Sequence, residues 1–458
     1  MLRAMRDARP PFPSRVAAIA SVAAVALLPF GPTIAMAWKV GLCGGMASPV
    51  VSNGTVFVGT RDGLVLAFAA ASGSPLWSFQ TGEGLPSGGQ TIFVGASGSE
   101  REQLQSAMAL KRSGRAEIVS TPVAAGELVF AASEDHTLYA LDAHSGSTKW
   151  YTDLMGDQAW LYLADSLLLA SAGTDLVHAV DPRSGKVRWR IKAPLLSCTA
   201  SGEGRLYATS WGDTSNVHAL DPTDGRELWN LPVQGEPLPP LYWDGGLYVA
   251  CTCELFEEPS HTALLALDPS SGAIRWKFET GGRKKAGSGL RVPPVEIAGD
   301  AVIFTTDQGV HVLDARTGNV RWSHALEQTQ DRVVVDGSTL IVTAGSIHAF
   351  DLRNGDSRWE HAIVESGAKT WATLGSSGLH VLDHGILYVV TKKMGHAIQA
   401  IDVATGKNRW TCRVGHEVLA RPALAGGLLF VSTAPEWTVG TPPRPATLLA
   451  IDASTGRY

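Results

Sequence analysis

The stretch LYALDAHSGSTKW (138–150) decides the reading of this chain, because it returns from end to end. It recurs as VHAVDPRSGKVRW (177–189), VHALDPTDGRELW (217–229), LLALDPSSGAIRW (264–276), VHVLDARTGNVRW (310–322), IHAFDLRNGDSRW (347–359) and IQAIDVATGKNRW (398–410). VLAFAAASGSPLW (65–77) is a worn copy with Ala69 in the Asp position, and LLAIDASTGRY (448–458) stops before its Trp. In every full copy Gly falls four residues after the Asp position and Trp eight after. The phrase therefore singles out Asp142, Asp181, Asp221, Asp268, Asp314, Asp351, Asp402 and Asp452. With them go Gly73, Gly146, Gly185, Gly225, Gly272, Gly318, Gly355, Gly406 and Gly456, and Trp77, Trp150, Trp189, Trp229, Trp276, Trp322, Trp359 and Trp410. Repetition at a period of about 40 residues indicates a propeller or a solenoid.

The letters have physical reasons. Leu138-Tyr139-Ala140-Leu141 reads as a strand apolar on both faces, as expected where sheets stack, with Ala allowing close approach. Asp142 suits a turn in which a carboxylate accepts backbone amides, and Gly146 suits the positive φ of such a turn. The next strand presents Trp150, a large apolar surface whose N–H needs a partner. Upstream of each phrase lie two more strands split by a Gly turn, as in SPVVSNGTVFVGT (48–60), TPVAAGELVFAAS (121–133), PPVEIAGDAVIFTT (293–306) and RPALAGGLLFVST (421–433). Each unit is thus four antiparallel strands, one propeller blade.

The phrase A-[LIVF]-D-x-x-[ST]-G-x-x-x-W resembles the tryptophan-docking repeat of the PQQ-like β-propeller superfamily, over about residues 38–458. The resemblance implies an all-β propeller of four-stranded blades, eight of them by the habit of the family, whereas a literal count of units in this chain is nine. It implies no single function. The superfamily includes quinoprotein alcohol dehydrogenases, the propeller lipoprotein of the outer-membrane β-barrel assembly machinery, and cofactor-free scaffolds.

The last unit lacks a fourth strand. Trp38-Lys39-Val40-Gly41-Leu42-Cys43-Gly44 echoes WSFQTG (77–82), WKFETG (276–281) and WTCRVG (410–415), so Trp38 is expected to complete the C-terminal blade. Such closure removes an open sheet edge. Trp spacings of 73, 39, 40, 47, 46, 37 and 51 place an insertion at 83–117, between the first two units. Within it, residues 100–112 carry a partial apolar side fit for a short helix. Insertions in repeat proteins often lie on the binding face, and a surface loop without a role is the alternative.

Residues 1–37 read as a secretory signal: Arg3, Arg6, Arg9 and Arg15, an apolar run Val16–Leu28, then Ala35-Met36-Ala37. This predicts an exported chain whose single domain spans 38–458. An uncleaved anchor is the alternative; Pro29, Gly31 and Pro32 leave the run short for a span. Lipidation at Cys43 would need a small residue where Leu42 stands. A membrane association is expected only if the signal is retained or lipidated. The 458 residues carry 38 Lys+Arg against 43 Asp+Glu, net −5, which argues against nucleic-acid binding.

Candidate chemistry is sparse. Five Cys (Cys43, Cys198, Cys251, Cys253, Cys412) form no disulfide framework. Cys251-Thr252-Cys253 near His261 suggests zinc, with no second spaced pair to support it. GGRKKAGSG (281–289) is basic but lacks the P-loop pattern. His178, His218, His311 and His348 share one position in the repeat; they form a ring of ligands or pack between blades, and Tyr139, Leu265, Gln399 and Leu449 at the same position favour packing. The quinoprotein dehydrogenases that the chain resembles hold PQQ with calcium and have paired adjacent Cys, which this chain lacks. The expectation is an exported, non-catalytic, cofactor-free scaffold, monomeric, presenting loops to protein partners. The alternatives are a PQQ- and calcium-dependent dehydrogenase and a binder of a ligand in the central funnel.

Overall fold

The computed structural model describes residues 37–42, 48–60, 63–81, 118, 121–154, 159–164, 166–172, 176–192, 197–210, 214–253, 261–281, 295–306, 309–326, 333–344, 346–362, 380–391, 396–418, 421–434 and 446–458. Among them the secondary structure is all β, and no helix is long and apolar enough to cross a membrane. The strands form nine separate antiparallel sheets, each one blade of a propeller. Residues 1–36, the insertion 83–117 and Cys43 fall outside the described residues.

Blade 1 runs Val50–Ser52, Thr55–Gly59, Leu64–Ala69, Pro75–Gln80, and blade 2 runs Val123–Ala125, Leu128–Ala132, Thr137–Asp142, Thr148–Asp153. Blade 3 is Ala159–Ala164, Leu167–Ala172, Leu176–Val180, Val187–Lys192, and blade 4 is Ser197–Gly202, Arg205–Ser210, Ser215–Leu220, Glu227–Val233. Blade 5 is Leu241–Trp243, Gly246–Cys253, His261–Leu267, Ile274–Gly281, with Glu236–Pro237 beside its second strand. Blade 6 is Glu296–Ala298, Ala301–Thr306, Gly309–Asp314, Val320–Ala325, and blade 7 is Val334–Asp336, Thr339–Ala344, Ser346–Asp351, Ser357–His361. Blade 8 is His380–Asp383, Ile386–Thr391, Ala397–Asp402, Asn408–Arg413. Blade 9 takes Ala423–Ala425, Leu428–Ala434 and Ala446–Asp452 from the C-terminal end. Its fourth strand is Trp38–Leu42, paired antiparallel with Ala446–Asp452 from Trp38 opposite Ala450 to Leu42 opposite Ala446. Glu417–Val418 pairs the second strand of this blade beside Ala423–Ala425.

The count is nine, not the eight expected from family habit. All nine are joined alike: the Trp of each fourth strand reaches the turn between the third and fourth strands of the next blade. Trp77 Nε1 donates to Ala143 O at 3.0 Å, Trp150 to Pro182 O at 3.0 Å, Trp189 to Pro222 O at 2.9 Å and Trp229 to Pro269 O at 3.0 Å. Trp276 donates to Ala315 O at 3.0 Å, Trp322 to Leu352 O at 3.0 Å, Trp359 to Val403 O at 2.7 Å and Trp410 to Ala453 O at 3.0 Å. Trp38 closes the series on Ala70 O at 2.9 Å, in blade 1.

Each accepting carbonyl belongs to the residue after the Asp position, and the Gly three residues further on lies under the indole. At Gly185, φ is +71° and an added Cβ would stand 2.6 Å from the Trp150 ring. The position therefore needs Gly twice over, for backbone conformation and for space. A β-bulge precedes the turn in blades 1 to 8, as between Ala140 and Leu141, and turns the chain tightly into the fourth strand.

The core follows the same joints. Alternate faces of each sheet pack on the preceding and following blades, as where Leu206, Ala208 and Leu220 of blade 4 meet Trp189, Val177 and Ala179 of blade 3. At the closing seam Val56, Val58, Leu66 and Phe68 of blade 1 pack on Phe430, Leu448, Ala450 and Trp38 of blade 9. Among the described residues burial is distributed around the circle, seam by seam.

Two outcomes follow. Deleting residues 38–45 strips blade 9 of its fourth strand and blade 1 of its dock, so thermal unfolding followed by circular dichroism should drop sharply; an unchanged melting curve would contradict the closure. Gly185→Ala should cost more than Gly126→Ala, where φ is +61° and nothing lies within 4 Å of the added Cβ. The latter bears only the left-handed penalty of about 1–2 kcal/mol, read from paired denaturant titrations.

Candidate functional site

The repeat residues build the joints of the ring, and their carboxylates hold the turns. Asp142 Oδ1 accepts the amides of His144 at 3.1 Å and Ser145 at 2.9 Å, while Oδ2 pairs with Lys149 at 2.9 Å. The same pairing joins Asp181 to Arg188, Asp268 to Arg275, Asp314 to Arg321, Asp351 to Arg358 and Asp402 to Arg409, at 2.5–2.8 Å. The cation stands just before the Trp in sequence, so the repeat itself carries the signal for this pair. Where Leu228 replaces it, Asp221 accepts the amide and hydroxyl of Thr223 and its nearest cation is Arg226 at 3.9 Å. Asp452 accepts Ser454 and Thr455 instead. Blade 1, with Ala69 and Leu76, has neither partner; a Ser72–Ser74 hydroxyl bond at 2.9 Å ties its turn. Lys149 holds the Asp142 carboxyl well below the ordinary carboxylate range, and Arg188 and Arg321 bring Asp181 and Asp314 down to about 2.

A second feature also went unread: an aromatic in the second strand packs against the Trp of its own blade. Phe57, Phe130, Tyr207, Tyr248, Tyr388 and Phe430 lie 5.7–6.2 Å, centroid to centroid, from Trp77, Trp150, Trp229, Trp276, Trp410 and Trp38. The three tyrosines donate to the same carbonyls as their Trp: Tyr207 to Pro269, Tyr248 to Ala315 and Tyr388 to Ala453. Burial raises all three phenols, Tyr207 to about 12.

The shared histidine position does not converge on one centre. Its occupants lie on the third strands and pack toward the preceding blade: Tyr139 against Phe79 of blade 1, Leu265 into the seam with blade 4, Leu449 into the seam with blade 8. His311 packs against Phe278 of blade 5, with ring centroids 5.2 Å apart and planes inclined at 57°. His178 is fully buried with neither ring nitrogen hydrogen-bonded, and burial lowers it to about 4. His218 links Ser210 Oγ at 2.7 Å to Glu227 Oε2 at 2.7 Å, the order of a nucleophile, base and acid. Ser210 is buried, however, and blade 6 repeats the motif as Thr306, His311 and Ser323. The arrangement is a cross-strand tie of the repeat. Cys251 and Cys412 are buried thiols, and burial pushes Cys412 up to about 11. Among the described residues no three His, Cys, Asp or Glu side chains gather as metal ligands. The carboxylates following Cys253 and most of 281–289 fall outside those residues.

What distinguishes the two ends of the ring is connection length. Antiparallel order puts the first–second and third–fourth turns on one face, and the second–third and fourth–first connections on the other. The turn face is short, regular and occupied by the docks. On the opposite face the ends of the described strands are separated by the longest and least alike intervals in sequence: Gln80 to Val123, Gly281 to Glu296, His361 to His380 and Ala434 to Ala446. Among the described residues the repeat keeps its spacing through the third–fourth turns and loses it between these strand ends, which makes the latter face the candidate surface for recognition.

A family model described as outer membrane protein assembly factor BamB matches residues 35–174, 173–363 and 343–458. Outer membrane protein assembly factors BamB from Moranella endobia (strain PCIT) and Yersinia pestis are 26% identical over 144 residues and 27% identical over 156. The first alignment covers 31% of each protein and the second 34%, so the chain spans about a third of the length of the curated relatives it matches. The crystal structure of BamB from Moraxella catarrhalis superposes with a TM-score of 0.51 at 15% identity, covering 72% of this chain and 96% of that one. That likeness shows the fold. Quinohemoprotein alcohol dehydrogenase from Comamonas testosteroni, at 14% identity, gives a TM-score of 0.47 over 92% of this chain and 77% of that one.

The titrating groups predict two pH windows. His178 has a folded value of about 4 against 6.5 when exposed. The unfolded chain therefore takes up the proton first, and stability falls as pH drops through that interval, by up to about 1.4 kcal/mol per pH unit for one proton. The depressed carboxyls of Asp142, Asp181, Asp268 and Asp314 add stability above their unfolded value of 3.8, lost as pH falls below it toward 2 and lower. His178→Phe should flatten the upper window and leave the lower one, measured by urea midpoints from pH 7 to about 2.

Proposed function

The chain belongs to the family of outer membrane protein assembly factor BamB, and from that membership we propose that it is an exported, non-catalytic propeller scaffold serving the assembly of outer membrane proteins. It acts in the periplasm by holding protein partners on its long-connection face, without a cofactor. The observation that carries this reading is the asymmetry of the ring. All nine docks are satisfied on the turn face, so the blades form a stiff frame. The opposite face is free to vary, and a rigid frame that positions variable loops suits recognition of another protein. Removal of residues 1–37 fits with Trp38 seated as the first joint of the ring.

The test is complementation. In a host lacking its own member of this family, expression of this chain should restore the level of β-barrel proteins in outer membrane fractions; levels no higher than in the deletion strain would overturn the proposal. Replacing 82–117 by a short Gly-Ser linker should leave the melting temperature unchanged and reduce the rescue. Titration of residues 38–458 with PQQ and Ca²⁺ in a calorimeter should give no saturable heat. Saturable binding with dye-linked alcohol oxidation would return the dehydrogenase reading.

A further inference from the structure

The third–fourth hairpins of the nine blades carry unequal charge. From Asp181 to Lys192 blade 3 reads DPRSGKVRWRIK, with five cations against one acid, net +4. The same stretch of the other eight blades, from the Asp position to the end of the fourth strand, lies between −2 and +2. Arg183, Lys186, Arg188, Arg190 and Lys192 are all exposed. Asp181 takes Arg188 at 2.6 Å, while Arg183, Lys186 and Lys192 enter no ion pair among the described residues. The hairpin is thus a local field opposite in sign to the chain of net −5 that carries it, and its cations repel one another until an anion arrives.

The strand sets the shape of this charge. Trp189 and Ile191 pack onto Leu206, Ala208 and Leu220 of blade 4. Alternation therefore puts Arg188, Arg190 and Lys192 on the other side of the strand, about 6.5 Å apart, beside the outer edge of blade 2. Arg183 and Lys186 continue the row at the turn, and Lys192 ends it where Val187–Lys192 reaches the long-connection face. The row is narrow. The hairpin of blade 2 on one flank has net −1, with Asp153 at its end, and that of blade 4 on the other has net −2, with Asp224 and Glu227 exposed. A flat anionic bilayer laid on this perimeter would meet those acids as well, whereas a single extended chain meets the cations alone. Nucleic acid is disfavoured too, because the aromatic within the row, Trp189, is buried and offers no base a surface to stack on.

We propose that the outer edge of blade 3 is a docking surface for an acidic segment of a partner protein, held extended, whose alternate Asp or Glu side chains meet the row of Arg188, Arg190 and Lys192. Every second side chain of an extended chain points the same way, at the spacing of this row. Guanidinium groups take carboxylates in a two-pronged, charge-assisted bond, which fixes the segment in register. The surface is separate from the long connections but reaches their face at Lys192, so one partner spans both.

Fluorescence anisotropy tests this with a labelled peptide of alternating Glu and Ser, about ten residues long so that it spans the row, titrated with the mature chain. Saturable binding is expected, weakening as salt rises from about 0.05 to 0.5 M, and the same peptide with Gln for Glu should not bind. Lys186→Glu combined with Lys192→Glu should weaken binding at least about ten-fold with an unchanged melting temperature. Lys407→Glu combined with Arg413→Glu, on the hairpin of blade 8, should change it less than about two-fold. Absence of saturable binding overturns the proposal, as does an equal loss in the two variants. Binding to phosphatidylglycerol vesicles or to polyphosphate without binding to the peptide also overturns it, by assigning the surface to a different anion.

Discussion

The structure depends on one constraint: no blade can bury its own faces. A four-stranded sheet with Leu, Val and Ala on both sides is stable only between two others, and a row of such sheets has two exposed ends until it closes on itself. The indole of each fourth strand solves this locally. It spans the seam, fills the space a Cβ would take at the Gly of the next turn, and gives its N–H to a carbonyl there. Nine repetitions of that local solution make the ring, and the ninth is made by Trp38 reaching Ala70.

Closure by Trp38–Leu42 makes the first and the last of the described strands part of one sheet. The last blade is thus completed by the first strand, and the seam between blades 9 and 1 is as apolar as the others, with Phe430 and Phe68 on either side of Trp38. The joints lie on the turn face, where Asp, Gly and the paired Arg or Lys leave little freedom. The surface ion pairs there contribute modestly one by one, since exposed pairs are worth about 0–1 kcal/mol. Their larger effect is to hold the turn in the shape that receives the indole. The opposite face has no such duty, and there the connections differ in length from blade to blade.

Much of this was legible in the chain. The spacing of Asp, Gly and Trp is set by local geometry, a bulge, a turn and one strand, so it survives in sequence at fixed intervals. The echo of WKVGL in the other fourth strands pointed to Trp38 for the same reason. The worn copy at Ala69 was visible as well, although that Leu76 stands in the place of the cation paired with the missing Asp shows only in the structure. The aromatics at Tyr207, Tyr248 and Tyr388 were passed over because each serves a carbonyl more than 60 residues away, and no local pattern marks such a bond.

The sequence by itself determined the blade, its strand order, its docking residues and the strand that closes the last sheet, because these rest on interactions within one unit or on identity between units. The tertiary structure decided the number of blades, the direction in which each third-strand side chain packs, and the division of the ring into a docked face and a variable face. Those are properties of the circle, and the angle between neighbouring blades is set by side chains meeting across seams that no single repeat contains. The histidines show the difference: one position in the repeat, yet His178 is sealed without a partner while His218 bridges Ser210 and Glu227, according to what the neighbouring strands and the preceding blade bring to each.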